Sequence, residues 1–213
     1  MELIQLAVPV LLKGLWMTLT LTFLSVAIGF NLGLGLAILR GMENRWLSGF
    51  ARYYSIVFRG TPLLVQAFFI YFGIPTALGI QMSAMTAGII TLSLNAGAYM
   101  TEIVRGGILS VDKGQMEAAR SLGMGYLPTM RKVILPQAFR TMIPSYINQF
   151  VITLKDTSIL SVIGIAELTQ TGRIIIARNF QSFTMWLIIG IIYFVVIMTL
   201  TKLSDRMEKR LVK

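Results

Sequence analysis

Two long uncharged stretches constrain the fold of this chain more than any other feature of its sequence. Residues 14–39 are 26 consecutive residues without a charged side chain, and residues 60–101 are 42. As one helix, the second stretch would be roughly 63 Å long at about 1.5 Å per residue, about twice the ~30 Å core of a bilayer. We therefore expect one membrane span in the first stretch and two spans joined by a tight turn in the second.

The composition of the whole chain supports a membrane protein and excludes several kinds of site. Of the 213 residues 55% are hydrophobic and only 13% are charged, whereas a soluble domain carries about 25% charged residues. The absence of cysteine and histidine excludes disulfides, thiol or histidine catalysis and the common zinc sites. A signal peptide has an apolar region of about 7–15 residues, so the first stretch is expected to be a retained span.

The pattern predicts an all-α membrane protein with a single transmembrane domain over residues 1–213 and five transmembrane helices. The spans are expected at about residues 14–39, 56–78, 83–105, 139–163 and 180–202. Fifteen of the 19 Lys and Arg residues fall within residues 40–59, 105–140 and 202–213. Basic residues collect in cytoplasmic loops, which predicts the amino terminus outside and the carboxyl terminus inside. This clustering also argues against nucleic acid as the partner of a chain with net charge +10.

Glycine and proline residues mark a predicted turn and a predicted helix contact. Gly73, Pro75 and Gly79 are expected to supply the outer reversal between the second and third spans. Three glycines of the first span, at positions 29, 33 and 35, give it a face on which another helix can pack closely. A loop at residues 166–181 is expected on the outer side.

A hydrophilic segment, residues 112–136, interrupts the apolar sequence between the third and fourth spans. Its Glu117–Ala119 tripeptide forms a small-residue helical surface that Arg120 borders with charge, and Gly123 is suited to end the helix. Small side chains let the backbone of another protein approach closely. We expect a short docking helix for a soluble cytoplasmic partner, and a solvated loop that merely joins two spans is the alternative.

The spacing in this segment resembles the coupling loop of permease subunits in bacterial ATP-binding cassette importers. The pattern is Glu-Ala-Ala, three residues, Gly, nine residues, an aliphatic residue, one residue and Leu-Pro. It is matched by Glu117, Ala118, Ala119, Gly123, Leu135 and Pro136, with Val133 where isoleucine is usual. Further segments resemble the branch of these permeases that transports polar amino acids: residues 58–66, residues 98–108, and residues 155–160 followed by 167–169.

The resemblance implies a multi-pass permease subunit of the bacterial inner (plasma) membrane that imports an amino acid by alternating access. It implies four partner chains: two cytoplasmic ATP-binding subunits, a second permease that is identical or homologous, and an external solute-binding protein. No G-x-x-x-x-G-K-[ST] loop is present, so ATP and Mg are expected on the partner ATPase, with no catalytic, cofactor or metal site on this chain. ATP binding would close the ATPase pair and, through residues 117–123, switch the spans from inward-facing to outward-facing.

Few ionisable side chains lie in or beside the predicted spans, and these are the candidates for a translocation path. A charge in hydrocarbon costs at least about 2.5–3.5 kcal/mol, so it usually faces a cavity or a partner. Thr91, Asn95 and Glu102 are spaced to lie on one side of the third helix, and Lys155 and Asp156 lie in the fourth. An amino acid carries an ammonium and a carboxylate, and these residues supply both signs.

Other interpretations of these residues remain open at this point. Glu102 lies one turn from Arg105 and can reach the inner interface beside it, and Lys155–Asp156 can pair with other helices instead of with substrate. An ion channel or ion-coupled carrier using Glu102 and Asp156 is the alternative function, although it does not require a docking helix. An intramembrane enzyme would need paired acid and base groups or a metal site, and the absence of histidine and the few carboxylates in the predicted spans argue against that class. The sequence leaves open which amino acid is imported.

Overall fold

The computed structural model describes residues 2–211, with side chains over residues 7–207, and every regular element in this part of the chain is helical. The helices are α1 (Glu2–Arg40), α2 (Arg45–Gly60), α3 (Leu63–Phe68), α4 (Ile74–Leu78), α5 (Ala84–Leu109), α6 (Lys113–Ser121), α7 (Tyr126–Thr129), α8 (Leu135–Asp156), α9 (Leu168–Asn179) and α10 (Ser182–Leu211). π-helical turns join α3 to α4 (Phe69–Gly73) and α7 to α8 (Met130–Ile134), and a 3₁₀ helix (Thr157–Ile163) follows α8. The all-α prediction is confirmed for the described residues.

α5 lies at the centre of the bundle, where half of its 26 residues are buried and it packs against α1, α2 and α8. The crossing with α1 is close. A Cβ atom at Gly29 would lie 2.9 Å from that of Ala96, and one at Gly33 would overlap that of Met100. The predicted packing face of the first span is therefore formed by Gly29 and Gly33, whereas a Cβ at Gly35 would meet nothing within 4 Å.

Of the predicted turn residues before α5, Gly79 lies at the reversal, whereas Gly73 and Pro75 do not. The helix continues through Gly73 and Pro75, because the N–H of Ile74 donates to the carbonyl of Phe69, five residues back. Proline lacks the N–H that a regular α-helix needs at this position, and the wider π-helical turn accommodates its absence. Gly79, with φ of +65°, is where the helix ends and the chain turns.

The segment expected to be an outer loop, residues 166–181, contains α9. Glu167 caps this helix, and its carboxylate accepts hydrogen bonds from the backbone N–H groups of Thr169 (2.8 Å) and Gln170 (2.7 Å). The hydroxyl of Tyr193 in α10 also donates to it (3.1 Å). Contacts with α1 and α10 bury the other side of α9. α1 and Tyr193 of α10 are distant from α9 in the sequence, so the residue pattern of 166–181 alone did not indicate the helix.

Several of the described helices meet the length and composition needed to cross a membrane. Two do so alone, Ala7–Arg40 and Ser182–Met207. Two bent pairs do so if each pair is one span, Arg45–Gly60 with Leu63–Leu78 (106°) and Tyr126–Ile163 with Leu168–Asn179 (47°). The predicted second span, residues 56–78, is thus not one continuous helix. The count of five spans and the orientation stay predictions.

Candidate functional site

The predicted docking helix is α6, and both of its ends are capped. The Asp112 side chain caps its first turn. After its last turn Gly123 has φ of +83°, and the Gly123 N–H donates to the Arg120 carbonyl (3.0 Å). The N–H of Met124 donates to the Ala119 carbonyl (3.1 Å). This pair of bonds is a Schellman motif, which requires a left-handed residue and so favours glycine. The prediction that Gly123 ends the helix is confirmed.

The residues of the Glu-Ala-Ala pattern point in different directions. Glu117, Ala118 and Arg120 are exposed, whereas Ala119 is buried. A partner that approaches α6 therefore meets one small side chain with a charge of each sign beside it. Ala119 instead packs inside the loop.

Three exposed apolar side chains follow α6 in the chain, Leu122, Tyr126 and Leu127, and we call them the apolar patch. Leu122 is 84% exposed and Leu127 76% exposed, and Tyr126 is exposed as well. Exposed apolar side chains gathered in a hydrophilic loop are typical of a surface that another protein covers. Sequence reasoning missed this patch, although large apolar residues within a hydrophilic segment were a visible signal.

Leu135 and Pro136 begin α8 and determine how the loop returns to the bundle. Because Pro136 has no N–H, the N–H of Leu135 donates to the Met130 carbonyl, five residues back, in a π-helical turn. In the first turn of α8, the side-chain amide of Gln137 donates to the side-chain oxygen of Gln115 in α6 (3.3 Å). The docking helix is therefore connected directly to the start of a long bundle helix.

Two of the predicted path residues, Thr91 and Asn95, lie inside the bundle. The Thr91 hydroxyl donates to the Ala87 carbonyl (2.7 Å) and has no exposed surface. The Asn95 amide donates to the Phe58 carbonyl (3.1 Å) and to the Gln66 side-chain oxygen (3.2 Å), and Asn95 is only 8% exposed.

Gln66, which sequence reasoning did not single out, organises the break between α2 and α3. Its amide donates to the carbonyl oxygens of Phe58 (2.8 Å) and Thr61 (3.0 Å). These carbonyls lie at the end of α2, where the helix leaves them without backbone donors. Gln66 and Asn95 together satisfy these groups and stabilise the 106° bend.

All three ion pairs within residues 7–207 include Glu102. Its Oε1 pairs with Arg40 of α1, and its Oε2 accepts a hydrogen bond from Arg105 Nε (2.9 Å). Arg59 of α2 lies farther away, with Nη1 at 3.6 Å from Oε1. One carboxylate thus joins three helices, and three guanidinium groups face a single negative charge.

A cleft of about 410 Å³ opens beside this cluster, between α2, α5 and α8. Its polar lining consists of Arg59, Tyr99, Glu102, Ser110, Thr141 and Ser145. The Arg59 guanidinium lies over the Tyr99 ring, 5.3 Å from its centroid. Of the five predicted path residues, Glu102 alone lines this cleft.

Lys155 and Asp156 lie at the other end of α8. Asp156 is eleven residues beyond Ser145, about 16 Å along the helix at ~1.5 Å per residue. Lys155 is exposed and Asp156 is half-buried, and within residues 7–207 neither makes an ion pair. The structure therefore does not bring them together with Glu102.

Comparisons with known proteins give consistent matches along nearly the whole chain. Residues 29–213 match the family of binding-protein-dependent transport system inner membrane components. The chain is 40% identical over 210 residues to the glutamine transport system permease protein GlnP of Escherichia coli strain K12, covering 96% of this chain and 94% of that protein. It is 37% identical over 204 residues to the arginine transport system permease protein ArtQ of Bacillus subtilis strain 168, covering 96% and 93%. A crystal structure of an amino acid ABC transporter with histidines matches with a TM-score of 0.93 at 44% identity, covering 95% of this chain and 94% of that one.

Proposed function

Because this chain belongs to the family of binding-protein-dependent transport system inner membrane components and is a permease subunit of an amino-acid ABC importer, we propose that α6 couples it to ATP hydrolysis on a separate subunit. The observation that carries this proposal is the exposed surface of α6 and the apolar patch that follows it in the chain. A groove in the cytoplasmic ATPase would receive Ala118 and Leu122, with Glu117 and Arg120 at the polar rim.

Movement of the docking helix would reach the bundle through α8. The Gln115–Gln137 hydrogen bond and the helix start at Leu135–Pro136 connect α6 to α8 within one turn. Closure of two ATPase subunits around ATP and Mg would therefore tilt α8 and switch the permease between inward-facing and outward-facing states. The five predicted helices are too few to enclose a pore by themselves, so a second permease subunit would face this one. An external solute-binding protein would deliver the amino acid.

The path itself is proposed to involve the charges that the bundle leaves available. Lys155 and Asp156 lack ion-pair partners within residues 7–207, so they are free to meet the second subunit or the cargo. Glu102 would lie at the inner end of the path, where it would orient Arg40 and Arg105. Thr91 and Asn95 would act indirectly by positioning α5. For Asp156→Asn we expect assembly to be normal and uptake to fall roughly tenfold or more, and unchanged uptake would remove Asp156 from the path.

The relatives transport glutamine and arginine by name, and we infer a polar amino acid as the cargo. Inner-membrane localisation in a bacterium is inferred from the same relatives. An ion channel or ion-coupled carrier is not favoured, because it has no use for the docking surface of α6.

The docking assignment is tested by charge and polarity changes on α6. In the complete importer in proteoliposomes, Glu117→Lys and Leu122→Asp should lower the number of amino acids transported per ATP hydrolysed, or release the ATPase during purification. Burial of one leucine is worth about 1.5–3 kcal/mol, so Leu122→Asp should weaken ATPase binding at least tenfold. Glu43→Lys is the matched control, because Glu43 is an exposed acid in the α1–α2 loop, outside the docking surface. Coupling that is unchanged in both variants would refute the assignment.

A further inference from the structure

The cleft beside Glu102 carries more positive charge than the residues around it neutralise. Arg40, Arg59 and Arg105 share one carboxylate. Arg40 and Arg105 each donate a hydrogen bond to Glu102, one to each of its oxygens. Arg59 makes only a longer ion pair with this carboxylate, with Nη1 3.6 Å from Oε1, and no hydrogen bond to it.

The Arg59 side chain contacts Glu102 and Tyr99 but has unused hydrogen-bond donors. Its nearest approach to Glu102 is 3.6 Å, and its side chain, 42% exposed, donates no hydrogen bond to the described side chains or backbone. The guanidinium also lies over the Tyr99 ring, where the attraction between a cation and an aromatic face favours its position. A guanidinium in this state presents a fork of N–H donors to the cleft, and such a fork matches carboxylate and phosphate oxygens.

Two further residues that carry hydroxyl donors line the same cleft from other helices. Tyr99 of α5 and Ser145 of α8 line the cleft, and within residues 7–207 no hydrogen bond uses either hydroxyl. The Ser110 and Thr141 hydroxyls differ, since they already donate to carbonyl oxygens of their own helices. Arg59, Tyr99 and Ser145, from α2, α5 and α8, therefore line a cleft of about 410 Å³, and no hydrogen bond within residues 7–207 uses their side-chain donors. The volume is within the range of small-molecule sites.

We propose that this cleft is a binding site for an oxyanion, a carboxylate or a phosphate, held by Arg59 with the hydroxyls of Tyr99 and Ser145. Two sources can supply this chemistry: the α-carboxylate of the imported amino acid as it leaves the path, or the phosphate of an inner-leaflet phospholipid. The first source rests on the proposed function. The site also connects three helices, so an anion bound there would stabilise the arrangement of α2, α5 and α8 seen here.

The test measures binding to the complete importer in nanodiscs, without any solute-binding protein. Radiolabelled L-glutamine is the first probe, in neutral phosphatidylcholine discs, with L-glutaminamide as the competitor that lacks the carboxylate. Arg59→Gln should weaken glutamine binding roughly ten- to a hundredfold, as expected for the loss of a charged hydrogen-bond donor, and Arg59→Lys should recover part of the loss. Arg52→Gln is the matched control, because Arg52 is an exposed arginine of the same helix that does not line the cleft.

The second probe is phosphatidylglycerol, mixed with phosphatidylcholine and quantified by native mass spectrometry of the released complex. Selective retention of phosphatidylglycerol that Arg59→Gln abolishes and Arg52→Gln preserves would support the site with lipid phosphate as its source. If Arg59→Gln fails to assemble, Ser145→Ala decides, with an expected two- to tenfold weaker binding of whichever probe binds. The proposal is overturned if both probes bind the cleft variants and Arg52→Gln alike, or if L-glutaminamide competes as well as glutamine and no lipid is retained. Unchanged coupling in Glu117→Lys and Leu122→Asp, together with Arg59-dependent binding of either probe, would instead count against the docking assignment alone.

Discussion

A side chain at Gly123 should uncouple this permease through the backbone conformation at the end of α6. Gly123 has φ of +83°, and a non-glycine residue in the left-handed region costs about 1–2 kcal/mol. A Cβ atom there would meet nothing within 4 Å, so the cost comes from conformation and not from a clash. One to two kcal/mol reduces the population of the intact helix end by about 5–30-fold.

The series Gly123→Asn, Gly123→Ala and Gly123→Val should show increasing loss. Asparagine tolerates the left-handed region best and a β-branched residue tolerates it least. Gly125→Ala is the control, because Gly125 is extended, with φ of −65°, and a Cβ there would make ordinary contact with Pro128 at 3.6 Å.

Two measurements follow the effect from the helix end to transport. Hydrogen exchange at the amides of Gly123 and Met124, which donate the two capping bonds, should accelerate in the order of the series. The ratio of amino acid transported to ATP hydrolysed in proteoliposomes should fall in the same order. A wild-type ratio in Gly123→Val, or an equal loss in Gly125→Ala, would refute the reasoning.

Three further outcomes are expected. A reporter active only outside the cytoplasm should be active when fused near Gly79 and silent when fused at Gly125, and the opposite result would overturn the orientation and the docking surface together. Gly33→Leu should destabilise the permease by about 1–3 kcal/mol or more, because the new side chain would collide with α5. Gly35→Ala, the control, should leave the melting temperature unchanged or raise it. Equal melting temperatures for the two variants would contradict the observed crossing of α1 and α5. Glu102→Gln should lower the thermal stability of the permease by about 1–3 kcal/mol, because three arginines lose the charge that they share. The effect should be the same for every amino acid that is transported. A loss of transport confined to one amino acid would instead place Glu102 in contact with the substrate.

Some features of this protein follow from short stretches of sequence. An uncharged stretch of sufficient length has to be helical in a bilayer, because the backbone polar groups have no water there and must pair within the segment. Gly123 likewise predicts the end of α6 locally, since a left-handed residue is needed two positions after the last helical turn. The docking segment was recognisable for the same reason, as its charges and its spacing lie within some twenty residues.

Other features were decided by contacts between residues far apart in the chain. Glu102 was recognisable as a charge near the membrane, but its pairing with Arg40, 62 residues away, depends on how α1 crosses α5. The bend at Thr61 requires the amides of Gln66 and Asn95, and α9 requires α10 to supply Tyr193 to its cap. Only the packing of the helices determines which polar side chains keep unused hydrogen-bond donors, and Arg59 is an example. The sequence by itself therefore determined that the long uncharged stretches are helical and that α6 ends at Gly123, because local physics specifies both. The tertiary structure alone decided α9, the charge cluster and the cleft, because each depends on contacts between distant residues.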